Sequence, residues 1–189
     1  MFELARKALA ESLDVHRKLD GFEIIVTAAA QAMIDSLRAG GTVYWCGNGG
    51  SAADAQHLAA ELVGRFYYYR PPLRSHALTV NTSTFTALVN DYPPEKVFER
   101  QVKAFLTDKD VFVGISTSGN SANILLALRA ARDAGATTIA MTGESGGELA
   151  PFAHVAIRVP SSSTPRIQEG HILLGHTICE LVEHALWPR

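Results

Sequence analysis

Apolar residues recur at helical spacing over the first forty positions: Leu4, Ala8, Leu13 and Leu19, then Ile24, Ile25, Ala28, Ala32, Met33 and Leu37. A three-to-four-residue repeat sets such side chains on one face of a helix, so two helices are predicted here. They break near Asp20-Gly21, and Gly40-Gly41 ends the second. From residue 42 the pattern changes. Short β-rich apolar runs at 42–46, 76–80, 111–115, 137–142 and 154–159 alternate with helix-like runs at 52–65, 84–89, 95–106, 121–134 and 146–152. Strands that are apolar throughout, with helical crossovers between them, predict a parallel sheet covered on both faces. The run Ser161-Ser162-Ser163-Thr164-Pro165 is a break, after which Thr164 suits the N-cap and Pro165 the first position of a long closing helix, 165–186. No repeat or low-complexity linker divides the chain. The expectation is one domain over 1–189, with N-terminal helices at 1–40 and an α/β core at 41–189. The leading pair can pack on other subunits or cap the core.

Composition narrows the class without naming a chemistry. The 189 residues are 47% apolar with a formal net charge of −2, an ordinary globular balance with enough chain for a sizeable core. Such a charge provides no electrostatic footprint for nucleic acid. Cys46 and Cys179 are too few for a disulfide framework and read as reduced thiols. The first residues, Met1 to Arg6, lack the long uncharged core of an export leader, and no apolar run approaches the roughly 20 residues needed to span a bilayer. A cytoplasmic protein is expected, with no membrane partner.

Two segments share one build. Val43-Tyr44-Trp45-Cys46 leads into Gly47-Asn48-Gly49-Gly50-Ser51, and Val111-Phe112-Val113-Gly114-Ile115 leads into Ser116-Thr117-Ser118-Gly119-Asn120-Ser121. Each is a strand, a small polar loop and a helix start, and each falls at a strand's carboxyl end, where parallel sheets bind ligands. Such a loop aims N–H groups and hydroxyls at one point beside a positive helix end, which suits a phosphate. Alone, either loop is also a plain tight turn. Neither has the lysine of a nucleotide P-loop or the Gly-x-Gly-x-x-Gly spacing, so neutral donors would hold the phosphate, as suits a phosphorylated sugar better than a triphosphate with magnesium.

Other side chains have chemical potential. Ser51 and Asp54 fit capping-box spacing at the start of the following helix. His57 and Glu61 stand one turn apart on the same helix, and can bind a metal, move protons or form a surface pair. His171 and His176 lie inside an apolar helix, where a buried imidazole needs hydrogen-bond partners and either residue is equally at home in a core or an interface. Asn90-Asp91 before Tyr92-Pro93-Pro94 reads as a turn, one that can also present side chains to a sugar.

Together these motifs resemble a family. Gly47 to Ser51, His57-x-x-x-Glu61, Asn90-Asp91, Ile115 to Ser121, Thr142-Gly143, and Arg166-Ile167-Gln168-Glu169 with His171 and His176 resemble the sedoheptulose 7-phosphate (phosphoheptose) isomerases of the sugar isomerase (SIS) domain family. The resemblance runs in order from about residue 20 to the C-terminus. It implies a flavodoxin-like five-stranded parallel sheet, a homotetramer with sites at subunit contacts, and conversion of sedoheptulose 7-phosphate to D-glycero-D-manno-heptose 7-phosphate, the first step of heptose biosynthesis and a source of lipopolysaccharide precursor. By matching position, Asn48, Gly49, Gly50, Ser51, Asn90, Asp91, Ser116, Thr117, Ser118, Ser121 and Gln168 are the implied substrate contacts, with Glu61 and His176 as the proton-transfer pair. The resemblance also implies one zinc per subunit, held by residues matching His57, Glu61, Gln168 and His176. On a straight helix Gln168 and His176 stand about 12 Å apart, so both reach one ion only if it lies midway. Pro160 to Pro165 departs from the family pattern at the edge of the pocket. Two alternatives carry different chemistry: an isomerase of another sugar phosphate, or a non-enzymatic SIS protein resembling the replication-initiator-associating factors. The second is suggested by Ala52 to His57 and the Ala185-Leu186-Trp187-Pro188 tail, and opposed by Glu61 and His176.

Overall fold

The computed structural model describes residues 1–188. Five parallel strands form one sheet: β1 (Val43–Gly47), β2 (Ser75–Ala77), β3 (Val111–Ile115), β4 (Thr137–Gly143) and β5 (Val155–Val159), in the order β2-β1-β3-β4-β5. That is the flavodoxin-like order, whose ligand crevice opens at the carboxyl ends where chain order reverses, between β1 and β3. Val43 to Gly47 pair in register with Val111 to Ile115, so the two polar loops leave the sheet side by side.

Helices cover both faces, and the alternation of each strand decides which residue meets which layer. On one face α2 (Glu23–Arg38), α3 (Gly50–Val63) and α7 (Thr164–Leu186) bury Val43, Trp45, Val111, Val113, Ile115, Ile139 and Met141. On the other, α5 (Val97–Phe105) and α6 (Ala122–Asp133) bury Cys46, Phe112 and Ala140. Trp45 is fully enclosed and donates its indole N–H to Ser75 Oγ at 2.9 Å, satisfying its one polar atom. At the opposite end of the sheet, the buried Asp110 accepts from the Thr42 and Thr107 N–H groups, each at 2.7 Å, and ties the starts of β1 and β3. Both cysteines are free and buried; burial raises the Cys46 thiol well above its ordinary range and pushes Cys179 up to about 12, so both are protonated and unreactive.

The leading helix α1 (Phe2–Arg17) buries only Val15 and leaves Phe2, Leu4, Leu9 and Leu13 exposed. Helix α4 (Thr82–Asp91) buries no residue at all. Among the described residues no helix is long and apolar enough to cross a membrane.

Several local expectations are corrected. The second strand stops at Ala77 rather than Val80. Residues 146–152 are not a helix: Gly146 and Gly147 take positive φ, 75° and 52°, and only a short 3-10 turn follows at Ala150–Phe152. The N–H groups of Glu148 and Leu149 donate to Asn120 Oδ1 and Gly119 O at 2.9 Å each, so this segment buttresses the second polar loop. Asn90-Asp91 is not a turn but the last two residues of α4. The closing helix begins one residue early, with Ser163 at the N-cap and Thr164 inside the first turn. The capping box is absent too: Gly49, not Ser51, is the N-cap of α3.

Candidate active site

Helices α3 and α7 run side by side in the same direction, and four contacts along them define the site. Gly50 faces Gln168: a Cβ there would lie 2.5 Å from the Gln168 amide nitrogen. Gly175 faces Leu58, whose two methyl carbons would lie 2.6 and 2.8 Å from an added Cβ. The missing side chains let the two helices approach closely. Beside that contact, one residue before Leu58 and one after Gly175, His57 Nε2 meets His176 Nε2 at 2.8 Å. Beyond them, the N–H groups after α3 meet Glu183 on α7.

His57 Nε2 also stands 3.2 Å from Glu61 Oε1, and ligand atoms of His57, Glu61 and His176 all fall within 4.8 Å of one another. One imidazole donates to the other, so the pair holds opposite tautomeric roles across the contact. The Phe66 ring backs His176, with centroids 5.7 Å apart. Two imidazole nitrogens and a carboxylate oxygen are the donor set of an open catalytic zinc site, and their spread fits one ion. Gln168 lies two turns earlier on α7, against Gly50 at the first polar loop.

The loops themselves are interlocked. Asn48 and Asn123 exchange amide hydrogen bonds at 2.9 and 2.8 Å, bridging the first loop to the first turn of α6. Ser116 Oγ and Ser121 Oγ are 2.9 Å apart, and Asn120 N–H donates to Ser118 Oγ at 3.1 Å. Ser51 and Ser116 are buried; Asn48, Gly49, Gly50 and Ser118 are exposed. Neither α3 nor α6 receives a hydrogen bond from the side chain of its N-cap residue, whereas Asn81 caps α4 by accepting from Thr84 N–H at 3.0 Å. The two helix ends nearest the loops therefore keep donors and positive potential for an anion.

A cavity of about 240 Å³ opens beside the first loop, lined by Asn48, Gly49, Gln56, Thr79, Thr82 and Thr86 among others. Its α4 wall comes from the first turns of that helix; the Asn90 amide, at the far end, donates to Asp91 Oδ1 at 2.8 Å, and both residues are exposed. Gln56, Thr79, Thr82, Thr86 and Asn123 were not legible as site residues. Gln56 adjoins His57 in the sequence, the one signal that could have found it, and the others carry no spacing signal.

His171 lies away from this chemistry. It is fully buried, with Nε2 3.0 Å from Thr142 O and no partner for Nδ1. Burial lowers its pKa to about 4, against the smaller raising effect of the Thr142 carbonyl. Asp54, one turn before His57, has a buried Oδ2 with no partner; burial raises its carboxyl, and His57 partly offsets that.

Known proteins resemble this chain in sequence and in fold. The SIS domain family model matches residues 16–143. A phosphoheptose isomerase of Rhodospirillum rubrum is 56% identical over 85% of this chain and 86% of the relative. One from Aquifex aeolicus is 51% identical over the whole of both chains. The structure of a phosphoheptose isomerase from Neisseria gonorrhoeae superposes with a TM-score of 0.90 at 42% identity, covering 96% of this chain and 97% of that one.

Proposed function

Since this chain belongs to the phosphoheptose isomerases of the SIS domain family, we propose that it converts sedoheptulose 7-phosphate to D-glycero-D-manno-heptose 7-phosphate. The observation that carries the reading is the convergence of Glu61 and His176, from helices 115 residues apart in the chain (176 minus 61), beside two loops rich in N–H and hydroxyl donors.

Ketose–aldose isomerisation needs a base at C1, an acid at the neighbouring oxygen and support for the enediolate between them. Glu61 takes the C1 proton while His176 gives one to O2, leaving an enediol. Glu61 then returns its proton to C2 as His176 recovers one from O1, and the aldehyde forms with no net change in protons. The phosphate sits far from the reacting carbons. Gly49, Gly50, Ser51, Ser116, Thr117, Ser118 and Ser121 anchor it and the chain, spending remote binding energy on orientation. Asn48, Asn90, Asp91 and Gln168 are assigned to the sugar hydroxyls.

A zinc ion, when bound, would polarise the C2 carbonyl. His57, Glu61 and His176 would hold it, and Gln168, at the loop end of α7, would serve the sugar. The exposed apolar face of α1, the unburied α4 and the small open cavity support a homotetramer in which neighbours complete each site.

The test is turnover of purified protein. Glu61→Gln and His176→Asn should each lower kcat on sedoheptulose 7-phosphate by about 10²–10⁴-fold. Near-normal rates in both would refute the assignment, and faster turnover of a pentose or hexose phosphate would move the substrate class.

A further inference from the structure

An ion pair sealed inside the protein lies at the far end of the α3–α7 contact. Arg70 Nε donates to Glu183 Oε1 at 2.7 Å, and the side chains are 0% and 1% exposed. The carboxylate is fully subscribed: it also accepts the N–H groups of Phe66 at 2.8 Å, Tyr67 at 2.6 Å and Tyr68 at 3.0 Å. The guanidinium is as heavily used. It donates to Glu61 O and Leu62 O, each at 2.9 Å, and lies over the Trp187 ring at 5.5 Å.

Burying two charges is costly, and replacing such a pair with apolar residues is often neutral for stability. What the arrangement adds is geometry. Arg70 grips the last carbonyls of α3, the helix that carries Glu61; Glu183 is two turns after His176 on α7 and grips the segment that follows α3. Phe66, whose N–H is held, is the residue that backs the His176 ring.

We infer that Arg70 and Glu183 are positioning residues: a buried clasp that sets the register of α3 against α7, and through it the meeting of His57, Glu61 and His176. The inference rests on the functional reading above for its consequence, though not for its geometry. Loss of the clasp leaves both helices in place on the sheet, each still packed through its own apolar face, but frees the trio to drift. The chemistry is lost before the fold is.

Three readouts on Glu183→Gln and Arg70→Lys test this, with Leu128→Ala, in the core across the sheet, as a control of comparable destabilisation. Imidazole ¹⁵N spectra report the His57–His176 contact directly. Cobalt(II) titration, followed by its visible absorption, reports the trio as a ligand set. Steady-state kinetics on sedoheptulose 7-phosphate separate kcat from KM. The clasp variants should lose the paired imidazole signature, bind cobalt about 10–100-fold more weakly and lose kcat by a similar factor with KM little changed. The control should keep all three. Clasp variants that track the control in imidazole spectra would overturn the inference. Where Glu183→Gln does not fold, Arg70→Lys, which keeps the charge but loses the planar fork that spans Glu183 and the α3 carbonyls, decides the matter on the same measurements. Wild-type protein that turns over no sugar phosphate would defeat the functional reading instead, while the spectra would still judge the clasp.

Discussion

Two histidines five residues apart on α7 show how much a single residue's setting matters. His171 is sealed against Thr142, and burial lowers its pKa to about 4 from the ordinary 6.5. A folded state that resists protonation loses stability as pH falls from 6.5 toward 4, because the unfolded chain takes up the proton first. The slope is about 1.4 kcal/mol per pH unit for one group. Urea unfolding between pH 6.5 and 5 should therefore show falling stability, and His171→Gln, which keeps a donor for the Thr142 carbonyl, should flatten that slope. Glu183 acts lower on the scale. Burial alone would raise its carboxyl, but three backbone N–H groups and Arg70 outweigh it and hold it below the ordinary value of 4.5. Its contribution is present above that value and lost as pH falls below it. Spacing alone could not rank His171 against His176, since both interrupt the same apolar helix; the family resemblance singled out His176, and in the structure the Thr142 carbonyl on one side and His57 on the other separate them. His57 and Glu61 were legible because one helical turn fixes their relation without help from the rest of the fold.

At the scale of elements, the close approach of α3 and α7 governs the site. Gly175→Ala gains helix propensity of up to about 1 kcal/mol, yet its methyl group would lie within 2.8 Å of both Leu58 methyl carbons. Overpacking of that kind typically costs 1–3 kcal/mol, so a net loss of about 1 kcal/mol is expected, with kcat reduced as the helices part. Leu58→Ala in the same chain should restore part of the kcat loss, even as it lowers stability through its own lost burial; chemical denaturation with parallel kinetics reads both. The amphipathic repeats of α2 and the closing helix were legible because each holds a buried stripe, as Ile167, Leu174, Ile178 and Val182 do on α7, whereas the apolar residues of α1 remain largely exposed. Residues 146–152 misled because their composition is apolar enough for a helix, while the backbone donors there serve Gly119 and Asn120 across space. Asn90-Asp91 misled for the opposite reason. Their turn propensity is real, but Thr82 to Val89 carry the helix through them and the break waits for Tyr92, whose extended backbone precedes Pro93.

For the molecule as a whole, the parallel sheet followed from the alternation of strands and helices, its flavodoxin-like order was implied by the family resemblance, and the ligand crevice lies where that order reverses. What encloses the crevice did not follow from that alternation. The exposed Phe2, Leu9 and Leu13 share one side of α1, an apolar surface that water should not face alone. A Leu9→Glu, Leu13→Glu double variant should lower the assembled mass in sedimentation velocity, and turnover should fall with it if neighbouring chains complete the cavity.

The trio has one further consequence, set by where its members lie along the chain. His57 and Glu61 lie on α3 and His176 on α7, so four strands of the sheet intervene along the polypeptide. The cluster therefore exists only while the sheet holds the two helices together, and heat or denaturant that parts them disperses its three donor atoms at once.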